Sequence, residues 1–466
     1  MKIGLTGGSY QEKSLPLNAQ RSVNLFPVVT SQGKEESALY GTAGLQSFGE
    51  AGTGAIRGTY AAANGRAFCV SGSKLFELAS NGTETDRGNL LFSAGAVSMV
   101  ENGFQLAICD GTDLYMFTYA TNVFAKVTDP DLPNAKTVTF LDGYFIVNQE
   151  SAGTFYISSL YDGTTWNALD FATAESSPDE LLRVTRMAGQ LVLLGTSSGE
   201  IWSNTGDSTF PFERVSGATM TTGILAPLTA VEHENTLVWV GQEDSGDGQV
   251  FQTQGFTPAR ISTHPIELII RNATDKENMR AWSYQEEGHD FYVLTGGGLG
   301  TTLVYDFTTQ VWHERAFLNQ FGIYEQHLGA DHMYAFGKHI VGSRKDGKLY
   351  EMSMDFYTDA GDPIKRERIY THLVDEDKRI RYNELVVGFE TGVGLQSGQG
   401  SNPLAALQLS DDGARTWSDE YYKSIGAVGE YKTRVAWRRL GVARQMTFRL
   451  TISEPVKIAI TGSYLS

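Results

Sequence analysis

Cysteine is nearly missing from this chain: Cys69 and Cys109 are the only two among 466 residues. A disulfide-stapled secreted scaffold is thereby excluded, and synthesis in a reducing cytosol is expected. Proline is scarce as well, at 12 residues. No apolar run approaches the ~20 residues that carry a helix across a bilayer, so no membrane anchor is expected. Met1 to Tyr10 lacks both the basic start and the apolar stretch of a signal peptide. Positive charge is in deficit, with 37 Lys+Arg against 54 Asp+Glu, a net −17 and a pI near 5.0. That balance argues against a protein that wraps nucleic acid by neutralising its phosphates.

Glycine, by contrast, is abundant at 51 residues, and 41% of the chain is hydrophobic with 11% aromatic. Such a composition builds large cores joined by many tight turns and excludes global disorder. The length predicts two or three domains. Charge is divided unevenly: residues 363–466 hold 15 basic and 12 acidic side chains, a balance of +3. Residues 1–362 hold 22 and 42, a balance of −20. The turn-rich acidic stretch Thr358 to Pro363 is the natural cut between them.

Short apolar or alternating runs bounded by Gly, Asn, Asp and Ser, such as Phe145 to Val147 and Leu191 to Leu194, predict an all-β chain. The best helix candidate, of two to three turns, begins at Thr274, where Glu277 completes a capping box and Met279 and Trp282 lie three apart. One feature repeats. Seven times a turn leads into an aliphatic or aromatic residue followed by an aromatic one: Leu75-Phe76, Leu114-Tyr115, Phe155-Tyr156, Ile201-Trp202, Val250-Phe251, Val304-Tyr305 and Leu349-Tyr350. The second members are 39, 41, 46, 49, 54 and 45 residues apart. Propeller blades of four strands need about 40–50 residues each. The alternative, a pair of β-sandwiches, lacks so long a beat. The expectation is a β-propeller over 51–362, of six or seven blades because strands from both ends can close the ring. Residues 363–466 lose the beat and read as a β-sandwich, with strands at Asn383 to Phe389, Leu404 to Leu409, Arg434 to Trp437, Met446 to Ile452 and Val456 to Ile460. Residues 1–50 form an N-terminal arm in which Ser22 to Pro27 reads as one strand, followed by a polar loop.

Catalytic chemistry finds little support. The eight histidines form no ligand pattern, Cys69 and Cys109 read as small buried hydrophobes, and Gly296 to Gly300 is a hairpin turn without the lysine of a phosphate loop. No catalytic, cofactor or metal residue is assigned. Ser410 to Trp417 resembles an Asp-box turn, with Asp412 capping backbone amides and Trp417 packing beneath, a structural device with its glycine one place early. Arg434, Arg438 and Arg439 alternate with apolar residues around Trp437. This strand reads as a solvated face or a protein-docking face, since Arg and Trp are enriched in interface cores; a nucleic-acid face is weaker because the aromatics point away from the arginines. Trp437 is expected inside the sandwich, and Asn24 joins the arginines as an interface candidate.

Several segments together resemble a known family. Arg21 to Pro27, Thr42 to Phe48, Ile56 to Gly58 and Val70 to Phe76 open the series; Ile269 to Arg271, Gly288 to Val293, Thr301 to Asp306, Trp312 to Arg315 and Arg434 to Gly441 continue it. In this order they resemble the packaged-DNA stabilisation proteins, or tail hub (nozzle) proteins, of short-tailed bacteriophages. Ala43 stands where that family usually has proline. The resemblance implies a non-enzymatic virion tail protein that needs no cofactor. Six copies would form a ring that closes the portal channel, retains packaged DNA and conducts it during ejection. It also implies contacts with portal and adaptor proteins and with tailspike, fibre or needle proteins, and genomic DNA in the channel without sequence reading. The competing function is a glycan-binding or glycan-cleaving propeller that recognises a receptor.

Overall fold

A computed structural model describes residues 2–4, 6–30, 36–174, 177–243 and 246–466. Seven antiparallel sheets follow one another along the chain as blades 1 to 7, over residues 56–89, 98–126, 135–173, 181–220, 223–260, 279–318 and 329–353. Blade 7 borrows its fourth strand, Gly44–Glu50, from the N-terminal region, where it pairs with Lys348–Ser353. Blade 7 also meets blade 1: Thr59 N donates to Asp331 Oδ2 at 2.6 Å, and Ile56, Cys69 and Phe76 share a core with Met333, Ile340 and Leu349. The ring is therefore closed, and its blade count is seven.

The sequence beat has a simple physical origin. All seven dipeptides lie on the third strand of their blade and face the same way, with the second residue opposite a second-strand residue: Phe76 opposite Cys69, Tyr115 opposite Ile108, Trp202 opposite Leu191, Tyr350 opposite Val341. Neighbouring residues on a strand point to opposite faces. The second residue accordingly enters the core shared with the preceding blade, as Tyr115 does among Phe68, Val70 and Leu75. The first enters the core shared with the following blade, as Leu114 does with Ala135, Val138 and Phe145. One dipeptide thus seals two blade interfaces, which is why it recurs once per blade.

The expected helix at Thr274 is not formed. The helix is His264–Arg271, with Pro265 in its first turn and Ile266 and Ile270 buried, while 276–278 make a single 3₁₀ turn. Met279 and Trp282 belong to the first strand of blade 6, Met279–Glu286. A spacing of three shares a face on a helix but spans opposite faces on a strand. Met279 enters the core with blade 5, and Trp282 the core with blade 7. Thr274 is held by close packing instead: a Cβ on Gly298, at φ +72°, would lie 2.0 Å from its Oγ1.

The sandwich draws on both ends of the chain. One sheet runs Leu25–Val29, Ser37–Gly41, Ala459–Leu465, Ile380–Phe389, Val435–Ala443. The other runs Arg21–Val23, Arg366–Ile369, Gln445–Ile452, Leu404–Ser410, Tyr421–Ser424, and Arg21–Val23 also pairs in parallel with the fourth strand of blade 6. Leu25, Leu39, Leu385, Trp437, Phe448 and Ile460 are among the residues that fill the space between them. The single strand expected at Ser22 to Pro27 is two, broken at Asn24, whose φ of +54° turns the chain from one sheet to the other. The polar loop expected after it falls on 31–35, outside the described residues. The turn-rich stretch at 358–363 is a small hairpin whose first strand, Thr358–Asp359, lies in parallel beside Gly44–Glu50. The strand expected at Val456 to Ile460 is Ala459–Leu465.

Candidate assembly surface and buried seam

Trp437 lies on Val435–Ala443 with its ring in the sandwich core, 2% exposed, and its Nε1 donates to the Tyr421 carbonyl. Strict alternation would turn Arg439 inward two residues later. A bulge prevents this, because Glu384 pairs with Arg438 and Tyr382 with Gly441, leaving two residues opposite one. Arg439 takes φ +62° at the bulge, and both Arg438 and Arg439 reach solvent while Leu440 resumes the core. Arg434 and Arg438 both grip Glu384: Arg434 with two bonds of 2.9–3.0 Å, Arg438 with one of 2.7 Å. These bonds hold the Glu384 carboxyl down at about 2. Arg439 makes no ion pair among the described residues and faces solvent.

Asn24 is no surface residue. It is 2% exposed, and its amide is spent on the backbone of Ala316 and Lys365 within the same chain. Its place is the seam where blade 6, the N-terminal strand and the sandwich meet. Charge is buried along that seam. Arg21 binds Glu314 at 2.6 Å, and Ser9 Oγ donates to the same carboxylate at 3.0 Å. Burial pushes Glu314 up, but Arg21 outweighs it and holds the carboxyl below its ordinary range. Arg368, 1% exposed, donates to the carbonyls of Gly7 and Gly8. Asp359 is pushed up to about 7 because burial outweighs the attraction of Arg366. Sequence reading had no signal for this network, whose members lie hundreds of residues apart.

The Ser410 to Trp417 turn has the expected capping geometry. Asp412 accepts from the amides of Arg415 and Thr416 at 2.9 and 3.0 Å and from Ser410 Oγ at 2.8 Å, which holds its carboxyl well below the usual range. Trp417 packs on Ala19, Ile369 and Ala414, with the Arg449 guanidinium 4.4 Å above its ring. The arrangement rivets the N-terminal segment to the sandwich and offers no acid–base pair.

Among the other titratable groups, burial pushes both thiols up, Cys109 to about 12, so neither is a ready nucleophile. His332 Nε2 and His339 Nδ1 face each other at 3.0 Å. One grouping escaped the sequence reading: His233, Glu234 and Asp290 place ligand atoms within 4.8 Å of one another, where hairpin ends of blades 5 and 6 meet. His233 is stacked flat on Phe307 at 3.9 Å, which accounts for its position without an ion.

The chain is similar to known proteins along nearly all its length. A family model described as bacteriophage P22 Gp10, beta-propeller, matches residues 1–357, and one described as bacteriophage P22 Gp10, beta-sandwich, matches 365–466. The tail hub protein gp10 of Salmonella phage P22 is 21% identical over 426 residues, covering 88% of this chain and 87% of its own. Among solved structures, the N-terminal domain of Nup159 is 10% identical with a TM-score of 0.42, over 70% of this chain and 97% of that one. PorZ, a surface component of the type-IX secretion system of Porphyromonas gingivalis, is 10% identical with a TM-score of 0.37, over 74% and 44%. With its propeller and its sandwich each matched in full order, the chain belongs to the bacteriophage P22 Gp10 family.

Proposed function

We propose that this protein is a structural, non-enzymatic subunit of the hub of a short phage tail, located in the virion and made in the bacterial cytoplasm. The observation that carries the reading is the match of both domains to one family, joined to likeness with a tail hub protein over 88% of the chain. In this reading six copies form a ring below the portal and adaptor, and tailspike, fibre or needle proteins attach to it. The packaged genome is held in the channel and conducted through it at ejection.

Charge supports the reading. A wall drawn from residues 1–362, net −20, repels phosphates over about a Debye length, ~8–10 Å, so DNA slides without sticking. The sandwich segment, at +3, offers the complementary sign for contacts between copies. The bulged edge with Arg438 and Arg439 is the part of it placed for such contacts, while Asn24 is spent inside the chain. Native mass spectrometry and cryo-electron microscopy of the purified protein, alone and with its adaptor, test the reading. A closed ring with a lumen of duplex width is expected; monomers that never assemble and never bind an adaptor would overturn it.

A further inference from the structure

The first strands of the blades surround an axial cavity in the propeller. Its wide part, about 900 Å³, is bordered by Lys136 and by the acids Asp110, Glu180, Asp275 and Glu277. Its narrow part, about 160 Å³, shares Arg57 and Arg280 with the wide part and adds Arg183 and Asp331. Three arginines, from blades 1, 4 and 6, thus reach one small chamber that holds a single carboxylate.

Two of those arginines, Arg57 and Arg183, are incompletely satisfied. Arg57 is 4% exposed; its Nε and Nη1 donate to the carbonyls of Gly95, Gly72 and Phe92 at 2.6–2.9 Å, but its Nη2 has no partner. Arg280 donates to the carbonyls of Arg57 and Ile56 through longer bonds of 3.2 and 3.4 Å. In Arg183, Nε and Nη1 are both buried and both without a partner. Asp331 attracts Arg280, but its Oδ2 is engaged by the amide and hydroxyl of Thr59 and it makes no hydrogen bond to Arg57 or Arg183. No ion pair involves these three arginines among the described residues. The remaining wall includes the apolar side chains of Met99, Leu228 and Ala230 and the hydroxyl residues Thr59 and Ser98, and no second carboxylate. A buried cation without an acceptor is costly, and a planar guanidinium fork matches the oxygens of a phosphate or sulfate. Burial lowers Arg183 to about 10, which still leaves it protonated at neutral pH.

We propose that this narrow axial chamber is an oxyanion site, taking one phosphate-class ion per chain, with Arg183 as principal donor and Arg57 Nη2 and Arg280 completing the set. The ion would neutralise the excess of arginines and tie blades 1, 4 and 6 together across the axis. This role is independent of any ring the chain forms.

The test uses the full chain in chloride buffer, titrated with inorganic phosphate at constant ionic strength by calorimetry and thermal melting. Expected results are saturable heat at one phosphate per chain and a melting temperature that rises with phosphate but not with equivalent chloride. Arg183→Gln should weaken phosphate binding at least tenfold. In chloride it should melt no lower than the wild type, because an unpaired buried cation has been removed. Arg183→Lys keeps the charge but loses the fork, and should also bind at least tenfold more weakly. The exposed Arg381→Gln should leave binding unchanged. Absence of saturable heat in the wild type overturns the proposal, as does undiminished binding in both Arg183 variants. Should both variants fail to fold, the wild-type titration alone decides.

Discussion

Asn24 and Ala316 exchange two hydrogen bonds: the Asn24 amide donates to the Ala316 carbonyl at 2.8 Å, and the Ala316 N–H donates back to Asn24 Oδ1 at 2.9 Å. The same amide donates to the Lys365 carbonyl at 2.9 Å. One side chain therefore copies a strand edge and ties blade 6 to the chain entering the sandwich.

Replacing it separates two effects. Asn24→Ala loses three bonds at about 1 kcal/mol each and leaves a side chain with φ +54°. A loss of about 3–4 kcal/mol is expected in denaturant unfolding. Asn24→Gly keeps the backbone comfortable and should lose only about 2–3 kcal/mol. Equal losses in the two variants would show that the backbone turn contributes nothing.

Trp437 carries the sandwich core. Trp437→Ala should cost about 3–5 kcal/mol, since the ring is buried and the Tyr421 carbonyl loses its donor. Calorimetry should show the loss, and a change under 1 kcal/mol would remove Trp437 from the core.

How much of this was legible in sequence follows from chain distance. The blade dipeptides are local, two adjacent residues facing opposite ways, and their beat is visible without coordinates. The Met279–Trp282 spacing is local too but ambiguous, since only the surrounding sheet decides whether three residues mean one face or two. Asn24 reads in sequence as an interface candidate, because its buried partners, Ala316 and Lys365, lie about three hundred residues away. The axial arginines come from three separate blades, so no local pattern in the sequence brings them together. Arg438 and Arg439 were legible as a basic pair, but the bulge that exposes both depends on pairing with Ile380–Phe389.

Acid should weaken the seam. Burial depresses His313 and His327 to about 3, and neither ring nitrogen of His313 has a partner. The folded state binds fewer protons on these rings than the unfolded chain, whose histidines titrate near 6.5. Their contribution is fully present above pH 6.5 and is lost as pH falls from there towards 3. The slope is about 1.4 kcal/mol per pH unit for each ring. His313→Phe, with similar volume and no proton to take up, should melt at least as high as the wild type at pH 7. It should also show a shallower decline between pH 6 and 4. An unchanged decline would place the acid-sensitive groups elsewhere.

The assembly reading makes the sharpest demand on Arg438 and Arg439. Arg438 already shares Glu384 with Arg434, so a neighbouring copy meets a clamp of two cations and one anion, followed by the free Arg439. Exposed ion pairs are worth ~0–1 kcal/mol each, yet every contact in a ring repeats around it, and steering by complementary charge adds to the association rate. Arg438→Glu with Arg439→Glu reverses the sign on this edge and places a second carboxylate beside Glu384. Glu384 keeps Arg434, so the monomer should fold and melt close to the wild type. Ring formation or adaptor docking should weaken, and the wild-type assembly should itself loosen as salt rises, because screening acts on the same charges. Arg439→Glu alone, which spares the clamp, should give part of the effect. Native mass spectrometry across a salt series reads all of these. A double variant that assembles and docks like the wild type would take this strand out of the interface, while one that melts far below it would show that the clamp holds the sandwich rather than its neighbours.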